Sequence, residues 1–181
     1  MKIVLCPNPF RDKGLKAAKS SETLLRAAGV HTECCFPFPV DKNNIGEIDP
    51  TIKIKEMKTE LPDADFLVCF GGDGTILHAA KDASSFGVPI VGVNMGSVGF
   101  MAELEQNELS QLTRLVSGEY TLENRMLLDV RVIRDGRVIF RSVALNDAVI
   151  TKGAVARVID LQVYGDKILI SNIFGDGVIL A

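Results

Sequence analysis

The sequence predicts an α/β fold in two parts: a doubly wound, mostly parallel α/β domain over residues 1–122, then an all-β domain from residue 123 on. Three observations predict it. Short apolar runs at 2–6, 66–70 and 88–93 alternate with segments of helical spacing, the signature of parallel strands covered on both faces. A glycine-rich turn, Gly71-Gly72-Asp73-Gly74-Thr75, stands between a buried strand and a helix. Past about residue 120 the apolar period shortens towards two and hairpin turns follow one another.

In chain order, 2–6 reads as the first buried strand, and Asn8-Pro9 and Gly14 mark a loop. Leu15, Ala18, Leu25 and Ala28 recur at helical spacing, and Gly29 stands where a helix end takes a left-handed residue. Residues 30–36 form a second strand. Pro37, Pro39 and Asn43-Asn44-Ile45-Gly46 make a loop, and 52–60 a short polar helix ended by Leu61-Pro62-Asp63. The strand 66–70, the glycine turn, a helix over 76–84 and a strand over 88–93 follow. A loop over 94–100 then leads to a helix over 103–117, with Leu104, Leu109, Leu112, Leu115 and Val116 inward and Gly118 ending it. Beyond a boundary near 120–126, strands read at 127–134, 138–145, 148–150, 158–163 and 168–174. Asp135-Gly136 is a hairpin turn and Gly165-Asp166 links another pair. Gly175-Asp176-Gly177 fits a further hairpin turn.

The bulk properties narrow the function classes. A net charge of −3 with no basic block argues against nucleic acid or an anionic membrane as the main partner. No stretch approaches the ~20 apolar residues of a membrane span, and the apolar run at the start is too short for a signal peptide. The expected compartment is the cytoplasm. Cys6, Cys34, Cys35 and Cys69 lie in apolar strand-like runs and form no Cys-x-x-Cys, so they read as buried, reduced thiols rather than a zinc or disulfide site.

A strand–glycine turn–helix unit lays phosphates against backbone N–H groups at a positive helix end. Asp73 inside that turn suits an acid that holds a metal ion or takes a proton from an attacking hydroxyl. The same turn also serves simply to reverse the chain. In doubly wound sheets ligands sit beyond the carboxyl ends of the strands, where the turn and the 94–100 loop both fall. There is no G-x-x-x-x-G-K-[ST] and no G-x-G-x-x-G opening a helix, so neither a P-loop nor an ordinary dinucleotide fingerprint is present.

The glycine turn resembles the signature of the NAD kinases and, more widely, of the lipid kinases and phosphofructokinases with a glycine-aspartate loop. Three further stretches narrow the resemblance to NAD kinase: Gly92-Val93-Asn94-Met95-Gly96-Ser97-Val98-Gly99-Phe100, Gly118-Glu119-Tyr120 through Arg125-Met126-Leu127-Leu128, and Ala144-Leu145-Asn146-Asp147-Ala148-Val149-Ile150. They stand in the family's order, and the likeness runs along the whole chain. It implies transfer of a phosphoryl group from ATP, with Mg²⁺, to the 2′-hydroxyl on the adenosine ribose of NAD, giving NADP. Asp73 would be the catalytic carboxylate and Gly74 would admit the ribose. Leu77 and Phe100 would flank the adenine. Asn146 and Asp147 would hydrogen-bond the dinucleotide, with Arg157, after Ala154-Val155-Ala156, and Asp176 at further dinucleotide positions. No dedicated metal ligands are implied. A homo-oligomer, dimer or tetramer, is expected.

Read as bare residues, several of these have blander roles. Asn146-Asp147 suits a strand end, Arg157 a solvated strand face, Phe100 a core position and His78 the surface or packing. The sequence departs from the family at Asp147, where Glu is usual, and at Phe174, where a polar or basic residue is expected. The family continues past the position of Ala181 with a Thr-Pro-Thr-Gly-Ser-Thr-Ala-Tyr stretch and more β structure, which implies a fragment or a truncated product. Two rival functions follow: a non-catalytic NAD-binding module, and a lipid kinase of the diacylglycerol type.

Overall fold

The computed structural model describes residues 1–96, 99–154 and 157–181. The chain divides into two compact units, Met1–Asn124 and Arg125–Ala181.

The first unit is built on a six-stranded sheet, ordered β3-β2-β1-β4-β5-β6 and parallel throughout. Its strands are β1 (Lys2–Pro7), β2 (His31–Cys35), β3 (Ile54–Lys55), β4 (Phe66–Gly71), β5 (Ile90–Asn94) and β6 (Leu104–Glu105). Its helices are α1 (Lys16–Ala27), α2 (Met57–Glu60), α3 (Asp73–Phe86) and α4 (Arg114–Ser117). Period-two alternation divides each central strand between two apolar layers. Ile3, Leu5, Phe66, Val68 and Phe70 face one way, with Leu15, Ala18 and Leu25 of the α1 region and Leu112 and Leu115. Val4, Cys6, Leu67 and Cys69 face the other, with Met57, Ile76, Ala79 and Ala83. This is the doubly wound arrangement, with the chain switching direction between β1 and β4.

The start of α1 is fixed by Asp12, whose buried carboxylate accepts the N–H groups of Ala17 and Ala18 at 2.9 and 3.0 Å. Burial raises its pKa, against the pull of those backbone donors. The helix ends at Gly29, left-handed at φ 81°. All four cysteines are free and buried, and Cys6 on β1 is paired in register with Cys69 on β4. Burial pushes the Cys6 thiol well above its ordinary range and Cys35 up to about 12.

Two sequence expectations in this unit need correction. The segment 52–60 is not one helix. Ile54 and Lys55 pair with Cys34 and Cys35 as an edge strand, and only Met57–Glu60 turns helical. The segment 103–117 is not one helix either. Leu104 and Glu105 pair with Val93 and Asn94, a 3₁₀ stretch spans Gln106–Thr113, and α4 follows. A reciprocal capping box between Glu105 and Glu108 fixes the helical start at Gln106.

A charge network joins Lys2 of β1, Glu33 of β2 and Lys55 of β3 to Glu60 and Asp63. Lys2 Nζ sits 2.9 Å from Glu60 and 2.5 Å from Asp63, and Lys55 Nζ sits 2.8 Å from Glu33. Hydrogen bonds from Lys2 hold the Glu60 and Asp63 carboxyls below their ordinary values of 4.5 and 3.8. A carboxyl depressed in the folded state binds fewer protons there than when unfolded. Its contribution is therefore whole above those ordinary values and drains away as pH falls through the lower folded-state ones. Urea midpoints should drop on acidification from about pH 6 to about pH 3, and Glu60→Gln should flatten that drop. Parallel acid profiles for parent and variant would show the network to be inert.

The second unit is antiparallel. β7 (Leu128–Arg134) pairs with β8 (Arg137–Ala144), β9 (Ala148–Thr151) with β12 (Gly177–Leu180), and β10 (Ile159–Gly165) with β11 (Ile168–Gly175). Asp135 and Gly136, at φ 50° and 72°, form the two-residue turn between β7 and β8. Two local expectations shift. Gly165 pairs with Ile168, so the next turn is Asp166-Lys167. Gly175-Asp176-Gly177 is not a hairpin, because β12 pairs with β9. Among the described residues of this unit none is fully buried, as two-stranded ribbons cannot by themselves exclude water from both faces.

Candidate functional site

The carboxyl ends of β1 and β4 lie side by side at the point where the sheet reverses its winding order, the usual ligand crevice of such folds. β1 runs into Asn8. Its backbone N–H donates to Phe70 O at 2.9 Å, its Nδ2 donates to Thr75 Oγ1 at 3.0 Å, and its Oδ1 accepts the Phe10 N–H at 3.0 Å. β4 runs into Gly71 and Gly72, and Asp73 opens α3. Gly71 has to be glycine, since a Cβ there would lie 2.1 Å from Thr75 Oγ1. Asn8 and Gly71 thus seat the buried Thr75 and set the entry of α3.

Asn8 was legible in the sequence only as a loop marker, although an Asn-Pro directly after the first strand of a doubly wound sheet falls at this crevice. Asn8→Ala removes the donor to a buried hydroxyl and should cost the first unit about 1–2 kcal/mol. A urea midpoint lowered at unchanged slope is the expected record, and an unmoved midpoint would deny the seat.

Asp73 is partly exposed at the positive end of α3. Its Oδ2 accepts the Phe100 N–H at 3.1 Å and its Oδ1 the Met101 N–H at 3.2 Å. The loop after β5 is tied at its near end too. Met95 N–H donates to Gly71 O at 2.9 Å, and Gly96 N–H to Asn94 Oδ1 at 3.2 Å. Asn94 Nδ2 in turn donates to Glu105 at 3.1 Å. Gly74 is exposed, with open space where a side chain would project. Leu77 is half-buried on α3, and Phe100 is 93% exposed rather than in the core. His78 is exposed with its ring 5.3 Å from Phe38, which stacks on Phe10. Asp73, Gly74 and Phe100 are therefore brought together. Within the 92–100 stretch, Ser97 and Val98 lie outside the described residues.

The remaining candidates are on the second unit. Asn146 Nδ2 donates to Asp147 Oδ2 at 2.8 Å, so the short carboxylate folds back on its neighbour. Asp176 is bonded to Lys152, Nζ to Oδ1 at 2.7 Å and backbone N to O at 2.8 Å. The β9–β12 register puts Asn146-Asp147 at the Leu180 end of that ladder and Asp176 at the Thr151 end, so these two are not neighbours. Arg157 is exposed, and Val155 and Ala156 before it lie outside the described residues.

The switch-point crevice thus holds the Asp73 carboxylate on a glycine turn. The model of the ATP-NAD kinase N-terminal domain matches residues 15–120. The chain belongs to the NAD kinase family. The NAD kinase of Acetivibrio thermocellus is 32% identical over 182 residues, covering 100% of this chain and 61% of its own length. That of Caldanaerobacter subterraneus subsp. tengcongensis is 34% identical over 181 residues, covering 99% and 62%. That of Symbiobacterium thermophilum is 41% identical over 120 residues, covering 66% and 42%. The chain thus spans about three fifths of the length of the NAD kinases it matches end to end. The crystal structure of yeast NADH kinase complexed with NADH has the same fold, at TM-score 0.76 and 20% identity, covering 99% of this chain and 56% of that one. Among the described residues no helix is long and apolar enough to cross a membrane.

Proposed function

We propose that the protein phosphorylates the 2′-hydroxyl on the adenosine ribose of NAD with Mg-ATP, giving NADP and ADP. The observation that carries the reading is Asp73, held at the start of α3 beside the sheet's switch point in a chain of the NAD kinase family. The ribose oxygen attacks the γ-phosphorus as the bond to the β-phosphate bridging oxygen breaks. ADP leaves, and the hydroxyl proton passes to the Asp73 carboxylate. Such a transfer needs positioning and charge neutralisation more than covalent help. The open space over Gly74 leaves room for the sugar. Mg²⁺ arrives with the triphosphate as part of the donor.

Leu77 and Phe100 flank the adenine in this reading, and an exposed Phe100 ring is free to stack. Asn146, Asp147, Arg157 and Asp176 supply polar contacts to the dinucleotide. The enzyme works in the cytoplasm as a homo-oligomer.

The test is an assay of the protein expressed from its complete reading frame with NAD, ATP and Mg²⁺. NADP should accumulate in step with ADP. Its absence, with the protein folded, rejects the reading.

A further inference from the structure

We infer that Gly99, together with the backbone N–H groups of Phe100 and Met101, forms a clamp that aims the Asp73 carboxylate. The inference rests on the reading of Asp73 as the proton acceptor and adds the device that orients it. Two consecutive backbone N–H groups each take one oxygen of this carboxylate, at 3.1 and 3.2 Å. An aspartate at a helix start would otherwise rotate about two side-chain bonds. With one donor on each oxygen the carboxylate plane is set, and each oxygen keeps a further lone-pair direction for a substrate hydroxyl. The loop that brings these donors is anchored at its near end by Met95 on Gly71 O, so the glycine turn is held from both sides.

Gly99 is what permits the approach. A Cβ on it would lie 2.4 Å from Asp73 Oδ1, 3.1 Å from Cγ and 3.4 Å from Oδ2. The first of these is closer than real Cβ contacts come, and the atoms met belong to the reacting group itself. Any side chain at 99 therefore turns the carboxylate away or lifts the two N–H groups off it. Gly99 is a positioning residue: it touches no substrate atom and acts through Asp73. Rate is sensitive to displacements of this size at a reacting group.

The experiment combines amide exchange with kinetics on the protein from its complete reading frame. In Gly99→Ala, the Phe100 and Met101 amides should exchange at least about 10-fold faster by NMR, while the Met95 amide keeps its protection. The kcat for NADP formation should fall at least about 10-fold, with KM for NAD within about threefold of the parent. Asp73→Ala, which leaves the loop sequence intact, should release the same two amides. The clamp is overturned if these amides are equally protected with and without the Asp73 carboxylate, or if Gly99→Ala keeps the parental kcat. A parent that makes no NADP rejects the reaction instead, and the exchange data still decide the clamp.

Discussion

Asp73→Asn should form NADP at least about 10²-fold more slowly than the parent, with the loss in kcat. The amide has no basic oxygen to receive the ribose proton. It also disturbs the local bonding. Two N–H donors converge on the side chain, from Phe100 and Met101. A carboxylate accepts both, but an amide offers one oxygen and one NH₂ group, so one of the two contacts sets donor against donor. Asparagine is well tolerated near a helix start, so the thermal midpoint should stay within a few degrees of the parent. That separation of stability from rate makes the variant informative. Steady-state assays across a range of NAD concentrations give kcat and KM separately. A variant within about threefold of the parent kcat would remove Asp73 from the chemistry.

Phe70→Ala should destabilise the first unit by about 3–5 kcal/mol. Phe70 is wholly buried on β4, between Pro7 of β1 and Val93 of β5 in the middle of the sheet. Its ring fills the layer it shares with Leu15, Leu25 and Leu112, and truncation leaves a cavity that strands held on both sides cannot collapse to fill. A domain of ordinary stability holds about 5–15 kcal/mol in all, so the urea midpoint should fall by a large fraction. Phe174→Ala makes the counterpart: its ring is 75% exposed, and the change should stay within about 0.5 kcal/mol. A Phe70 cost below about 1 kcal/mol would mean that the layer relaxes around the loss.

What was legible in the sequence was whatever a buried strand writes into consecutive residues. The runs ending in Cys6, Phe70 and Val93 announced β1, β4 and β5, and the switch between the first two placed the crevice. The edges were not legible. β3 and β6 are two residues long, below the length at which alternation can be seen, and both are made by pairing with distant residues. The leucines of 103–117 have a spacing that suits an α-helix, a 3₁₀ turn or a sheet edge, and only the pairing of Leu104 with Val93 decides. Gly175-Asp176-Gly177 read as a hairpin because local turn chemistry cannot reveal that β12 seeks β9, some thirty residues earlier. The site divides in the same way. Asp73 stood out through its carboxylate and Gly74 through its place in the glycine turn. The Phe100 and Met101 N–H groups did not, since every non-proline residue carries one, and Gly99 left the only trace of the close approach.

The placement of the sulfur atoms has one more consequence. All four thiols sit in the first unit, Cys6, Cys35 and Cys69 at 0% exposure in one apolar layer and Cys34 at 9% on β2, and the described second unit carries none. An alkylating reagent added to this folded chain therefore reaches Cys6, Cys35 and Cys69 only as the six-stranded sheet opens. Its rate of incorporation becomes a clock for that opening, and it stays silent about whatever the ribbons beyond Asn124 are doing.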